Sequence, residues 1–311
     1  MGQSRLASAI GAVVISGLLL TGCSQPGSYG SGDSSGGDSS STTITVGSAN
    51  FTESEILANI YATALKDSGY KVKAKLNIGS REVYIPALTD KSIDLIPDYS
   101  GNLLSYLDAS TTARSAEEIN KALPGSLKAK GLAMGTPASA EDKDAVVVTS
   151  DTASSWSLSS IGDLASHNSQ LSMGGAPEFK TRAVGLPGLK KNYGVVPSSY
   201  TTIADGGGPA TVAALKDGKV KAANIYTTSP DIPANNFVVL KDPKNNFPAQ
   251  NVTPVFRDGV LDAKALKVVN GVSAQLTTED LTELNSEVSG SSKMEPSAAA
   301  EKWLKSKGLT K

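Results

Sequence analysis

The chain has 311 residues, with 29 basic and 30 acidic side chains, a formal net charge of −1, one cysteine and one histidine. So even a balance excludes the basic surface that nucleic acid or an anionic membrane would select. One cysteine excludes an internal disulfide, and one histidine leaves little material for a metal site or a Ser-His-Asp triad.

Arg5 is the only charge ahead of Cys23, and the apolar run LASAIGAVVISGLLL (6–20) follows it. A charged start, a short apolar stretch and small residues before a cut predict a secretory signal over residues 1–22. The run is too short and too rich in Gly and Ser for a membrane span. Residues 23–42 are nearly all Ser, Gly and Asp, a composition that cannot bury enough apolar surface to order itself, and they predict a flexible tether. Leu20-Thr21-Gly22-Cys23 resembles the lipobox of bacterial lipoproteins. That resemblance implies lipidation of Cys23, palmitate included, and anchorage on the extracytoplasmic face of a membrane. The plainer reading is an ordinary cleaved signal with a stray free thiol.

From residue 43 strands and helices alternate. TITV (43–46) predicts a strand, and Thr52-x-x-Glu55 a capping box at the start of a helix. Ile56, Leu57, Ile60, Tyr61 and Leu65 then recur at helical spacing until Gly69. KVKAKLNI alternates with period two and predicts the next strand, completing a parallel βαβ unit. REVYIPALTDKS predicts a helix, and IDLIPDYSG a strand running into a turn. ALTDKSIDLIPDYS (87–100) and ALKDGKVKAANIYT (214–227) align without a gap. Either two amphipathic passages coincide, or two lobes of similar architecture each set a tyrosine, Tyr99 or Tyr226, beyond the C-terminal end of a strand, where open α/β sheets bind ligands. EDKDAVVVTSD (141–151) predicts a crossing into a second lobe and KNNFPAQNVTPVF (244–256) the return. The helical C-terminal stretch is expected to close on the first lobe. The domain expectation is therefore residues 43–142 and 246–311 for one lobe and 143–245 for an inserted second, hinged at the two crossings.

Residues for catalysis are sparse. His167 sits in the polar stretch LASHNSQLS, expected to be a surface loop. No nucleophile elbow, phosphate loop or ligand-spaced metal cluster occurs. GGGP (206–209), after Asp205, is either an anion-binding nest or the tight turn that enters a helix, and the turn is the simpler reading. Carboxylates such as Asp98 and Asp142 have no sequence context that marks them as an acid–base pair. The expectation is a protein that is not an enzyme and carries no cofactor or metal.

GSANFTESEILANIYATAL, IDLIPDYSGNLL, GGAPEFKTRAVGLPGLKKNYG and FPAQNVTPVFR, in that order, resemble the substrate-binding lipoproteins of osmoprotectant ABC transporters. The resemblance runs from about Thr43 to Leu309. It implies an α/β, two-lobed periplasmic-binding-protein fold of type II, with two mixed-sheet, Rossmann-like lobes joined by two crossing segments. It also implies a small-molecule ligand such as glycine betaine, carnitine or choline, a permease with its ATPase as partner, and a monomer bound to the membrane through lipid. In this family aromatic rings from both lobes hold a quaternary ammonium by cation–π attraction. Carried over by position, Tyr99 and Tyr226 match cage tyrosines, Asp142 a polar cleft residue and Asn102 a polar ligand contact. Arg182 matches an arginine that can hold a ligand carboxylate.

The chain departs from the family pattern at three positions. Asp144 stands in DKDA where the family often has a third cage aromatic, Gln250 stands in FPAQN where a fourth usually lies, and Ala49 replaces a lysine. Losing two rings, at about 0.5–2 kcal/mol each, would weaken ammonium binding by roughly one to three powers of ten. Asp144 is expected to act as a counter-charge. Alternatively, Asp144 and Gln250 signal a changed specificity, for a hydroxylated aromatic or a polyol between Tyr99 and Tyr226.

Overall fold

The computed structural model describes residues 43–290 and 292–310. The expected signal, the lipobox with Cys23 and the tether lie outside the described residues. Strand β1 (Ile44–Gly47) leads to helix α1 (Thr52–Asp67), and β2 (Val72–Lys75) returns parallel to β1, with Ile44 opposite Val72. The five apolar residues read at helical spacing in α1 are all fully buried, as a helix with one core-facing stripe requires. The expected capping box does not form. Phe51 holds the N-cap position in extended backbone and Thr52 is already helical. The Ser54 hydroxyl instead accepts from the Ala49 N–H at 2.9 Å.

Next come α2 (Arg81–Thr89), β3 (Leu95–Tyr99), α3 (Ser100–Leu107), α4 (Ala116–Lys128) and β4 (Leu132–Met134). The expected turn after β3 is helix α3, whose first amides are met by the second crossing: Ser100 N–H donates to the Asn251 carbonyl at 3.0 Å. Residues 135–143 then cross to β5 (Asp144–Thr149), α5 (Ser150–Ser155), β6 (Ser172–Gly175), α6 (Leu186–Tyr193) and β7 (Ser199–Thr202). The chain continues through α7 (Pro209–Lys216), β8 (Ala222–Tyr226), α8 (Asp231–Ala234) and β9 (Phe237–Val239). Residues 240–251 cross back to β10 (Val252–Arg257), and α9 (Ala263–Gln275), α10 (Thr278–Ser289) and α11 (Pro296–Ser306) complete the fold. The two crossings touch through an antiparallel bridge between Glu141 and Asn251.

The strands form two five-stranded mixed sheets, ordered β2-β1-β3-β10-β4 and β7-β6-β8-β5-β9. They match place for place. In each, the third strand lies parallel to the second and antiparallel to the fourth. The sequence echo falls on the third strands, so Tyr99 ends β3 opposite Val252 and Tyr226 ends β8 opposite Asp144. Coincidence does not explain it; the two lobes repeat one architecture. Each lobe has a core on both faces of its sheet, as a largely parallel sheet requires. Leu281, Leu284, Trp303 and Leu304 of the C-terminal helices join the core that buries α1.

His167 is not in a loop. It ends a 3₁₀ run over Ile161–His167 and stacks on Trp156 with ring centroids 4.4 Å apart. Of the two readings of GGGP, the turn holds: the Asp205 carboxylate accepts from the N–H groups of Ala210 and Thr211 at 2.7 and 3.0 Å. It thereby takes the place an anion would occupy at the start of α7.

Candidate functional site

A cleft opens where the C-terminal ends of the parallel strands of both lobes meet, and three aromatic rings converge on it. Phe51, just beyond β1, lies 6.1 Å from the Tyr99 ring centroid and 5.9 Å from that of Tyr226, nearly stacked on the latter at 23°. Phe51 belongs to the first lobe and is approached by the turn before α7 in the second. Gly206 has φ +62°, and a Cβ there would stand 2.9 Å from the Phe51 Cβ, so only glycine suits this approach. Asn102, Asp142 and Arg182 also line the cleft, together with Arg81 and Tyr84.

Two of the residues singled out in sequence are placed otherwise than expected. Asp144 and Gln250 are not on the cleft wall. Asp144, the first residue of β5, accepts from Asn102 Nδ2 at 2.6 Å and Asn224 Nδ2 at 3.1 Å. Gln250 is fully buried and its Oε1 accepts from the Asn102 N–H at 3.0 Å, capping the first turn of α3. Neither stands in place of a ring facing a ligand, because each is turned into a hydrogen bond with Asn102. The third ring comes from Phe51, which sequence reading passed over as part of a helix start. Its position one loop beyond a parallel strand was the available signal.

The arginines arrive with carboxylates. Arg81, at the first turn of α2, forms a fork to Asp98 of β3, Nη2–Oδ1 2.6 Å and Nε–Oδ2 3.1 Å, with both side chains buried. Arg182 of the second lobe reaches Glu82 of the first, Nε–Oε1 3.2 Å and Nη2–Oε2 3.0 Å. Partial burial opposes ionisation of Glu82, yet the Arg182 hydrogen bonds hold its carboxyl down at about 2. This contact ties the lobes together across the cleft mouth.

Behind the rings lies a buried carboxyl pair. Glu53 accepts from the Tyr99 hydroxyl, from Thr228 Oγ1 at 2.6 Å and from Asn285 Nδ2. Asp142 shares Thr228 with Glu53, accepting from the Thr228 N–H at 3.0 Å. Glu53 and Asn285 belong to the first lobe, Thr228 to the second, and Asp142 to the crossing between them. Burial pushes both carboxyls above the usual range, Asp142 further still because of the neighbouring Glu53 charge. Burial likewise raises the Tyr99 hydroxyl, so Tyr99 is a neutral donor.

Two acids that bind protons more tightly folded than unfolded stabilise the fold fully below the ordinary carboxylate range, near pH 4, and that stability is lost as pH rises through their raised values. Urea unfolding of wild type and Glu53→Gln from about pH 4 to 8 is therefore expected to show the wild type losing ground to the variant as pH rises. Parallel profiles would mean that the pair does not carry this proton.

Among the described residues no cluster of His, Cys, Asp and Glu is arranged to hold a metal, and no helix is long and apolar enough to cross a membrane.

Two lobes with a cleft at their facing strand ends define a solute-binding protein of the periplasmic-binding type. Residues 42–306 match the family model of the substrate-binding domain of ABC-type glycine betaine transport systems, OpuAC, and the chain belongs to that family. It is 28% identical over 280 residues to the glycine betaine-binding protein YehZ of Escherichia coli, covering 86% of this chain and 92% of the relative. It is 26% identical over 298 residues to the carnitine transport binding protein OpuCC of Listeria monocytogenes, covering 94% and 93%. A crystal structure described as a glycine betaine/carnitine/choline ABC transporter superposes with a TM-score of 0.68 at 23% identity, over 86% of this chain and 99% of that one, and shares the fold. Family members bind small solutes and work with a permease; they are not enzymes.

Proposed function

We propose that the protein is an extracytoplasmic receptor that captures a quaternary-ammonium solute between Phe51, Tyr99 and Tyr226 and delivers it to a membrane permease driven by an ATPase. The observation that carries this reading is the convergence of three rings from two lobes, backed by the carboxyls of Glu53 and Asp142. Methylated ammonium groups donate no strong hydrogen bond, and ring faces attract them. In this reading Cys23 carries the lipid anchor, residues 23–42 give reach, and the protein acts as a monomer. The lobes, residues 43–142 with 246–311 and residues 143–245, hinge at the two crossings. Ligand favours closure because Tyr226 joins Phe51 and Tyr99 around it only when the lobes meet.

The test is calorimetric titration of the purified protein with glycine betaine, carnitine, choline, hydroxylated aromatics and polyols, with scattering before and after each ligand that binds. Binding of an ammonium compound at micromolar concentration, with compaction, is the expected result. Heat only from a phenol or polyol would replace the ligand class and leave the receptor. A ligand that binds with no compaction overturns the closure mechanism.

A further inference from the structure

Asn102 is held by two contacts, and the second fixes which end of its amide is left unpartnered. Its backbone N–H is taken by Gln250 Oε1 at 3.0 Å, and its side-chain Nδ2 lies 2.6 Å from Asp144 Oδ2. The Asp144 oxygen accepts this hydrogen bond, so the group turned toward it is the NH₂, and the carbonyl Oδ1 is left over. Asp144 is itself pinned by Asn224 Nδ2 on its other oxygen at 3.1 Å, which removes its freedom to release Asn102. Asn102 is only 8% exposed and sits on the cleft wall, and its buried Oδ1 has no hydrogen-bond partner among the described residues. A buried acceptor left without a donor costs free energy, so a group that donates to it gains accordingly.

The charge around the cleft points the same way. Arg81 and Arg182 are each forked onto a carboxylate of the protein, Asp98 and Glu82. Glu53, Asp142 and Asp144 have no such cationic partner among the described residues. Both cleft arginines are neutralised within the protein, and neither is left free for a ligand carboxylate. A ligand carboxylate placed against Asn102 would meet a carbonyl oxygen with Asp144 behind it.

We infer that the ligand is a net cation that donates a hydrogen bond to Asn102 Oδ1, an ammonio-alcohol rather than a zwitterion bearing a carboxylate. The inference rests on the ammonium reading above and narrows it. The departure at Asp144 is the cause: it sets the polarity of Asn102, and so specificity, without touching the ligand.

The experiment titrates the purified protein with three probes: choline, glycine betaine and propyltrimethylammonium, which has a methyl where choline has its hydroxyl. Choline is expected to bind at least about ten-fold more tightly than either of the others. Asn102→Leu is expected to bring choline down to propyltrimethylammonium while leaving the latter within about two-fold. Asp144→Asn, which frees the Asn102 amide to turn, is expected to raise glycine betaine relative to choline by about ten-fold or more. Glycine betaine binding wild type as tightly as choline overturns the inference and leaves the ammonium reading standing. Equal binding of choline and propyltrimethylammonium overturns the donor. Binding by none of the three removes both readings. If a variant fails to fold, the wild-type ranking decides.

Discussion

Asp98→Ala is expected to lower the unfolding free energy by about 3–5 kcal/mol, because it leaves a buried guanidinium without its counter-charge. Arg81 is 5% exposed and Asp98 1%, so water cannot take over the lost contacts. Asp98 also receives the Tyr99 N–H at 2.7 Å. Removing it therefore strips the acceptor from both the guanidinium and the Tyr99 amide. Urea unfolding at neutral pH measures the loss. Asp98→Asn should cost less, since an amide oxygen still accepts, and Arg81→Met combined with Asp98→Leu should recover much of the stability by removing both charges. A loss below about 1 kcal/mol for Asp98→Ala is what a solvated pair would give, and would contradict the burial described here.

Phe51→Ala is expected to weaken binding of the quaternary ammonium by about ten- to a hundred-fold, while Phe51→Tyr should change it by less than about three-fold. Of the three rings Phe51 is the only one that lies close to both others, 6.1 Å from Tyr99 and 5.9 Å from Tyr226. Truncating it removes one cation–π face and also the support that orients the two tyrosines. It spares the hydrogen bonds of the carboxyl pair, which Tyr99→Ala would not, because the Tyr99 hydroxyl donates to Glu53. Calorimetry on Phe51→Ala thus isolates the cage from the charge behind it. A change of less than two-fold would take the ligand out of the cage.

The elements most legible in sequence were those set by local pattern. The stripe Ile56, Leu57, Ile60, Tyr61 and Leu65 named α1 and its buried face, and the repeated passage ending in Tyr99 and Tyr226 named the two third strands and their shared end. What escaped were partners far apart in the chain. Glu53 meets Asn285 across most of the protein's length, and Asn102 meets Asp144 across the two lobes; neither pairing leaves any periodic trace. Position-by-position resemblance placed Asp144 and Gln250 as ring replacements in the cleft, but a polar side chain near a cleft turns toward whichever partner best satisfies it, and both found Asn102. The capping box failed for a similar reason. Thr52 and Glu55 have the right spacing, yet the bulky Phe51 takes the N-cap position and Ser54 makes the hydrogen bond.

The first sheet is assembled from two stretches of chain, with the whole of the second sheet between them. β10 sits between β3 and β4, and α11 covers α1, yet both are synthesised after the whole of the second sheet. The strands β5 to β9 are contiguous and can pair as soon as they leave the ribosome. Until the C-terminal helices follow, α1 is backed only by β1, β2 and β3, the apolar surface that those helices cover is exposed, and β3 presents an open edge. Such an edge is what invites association with other chains. Hydrogen-exchange labelling during refolding is expected to show the amides of β5 protected before those of β3. The ring cage is divided in the same way: Tyr226 belongs to the half that can form early, while Phe51 and Tyr99 belong to the half that must wait. A nascent receptor therefore becomes able to bind only when its final helices have arrived, however early its binding residues were made.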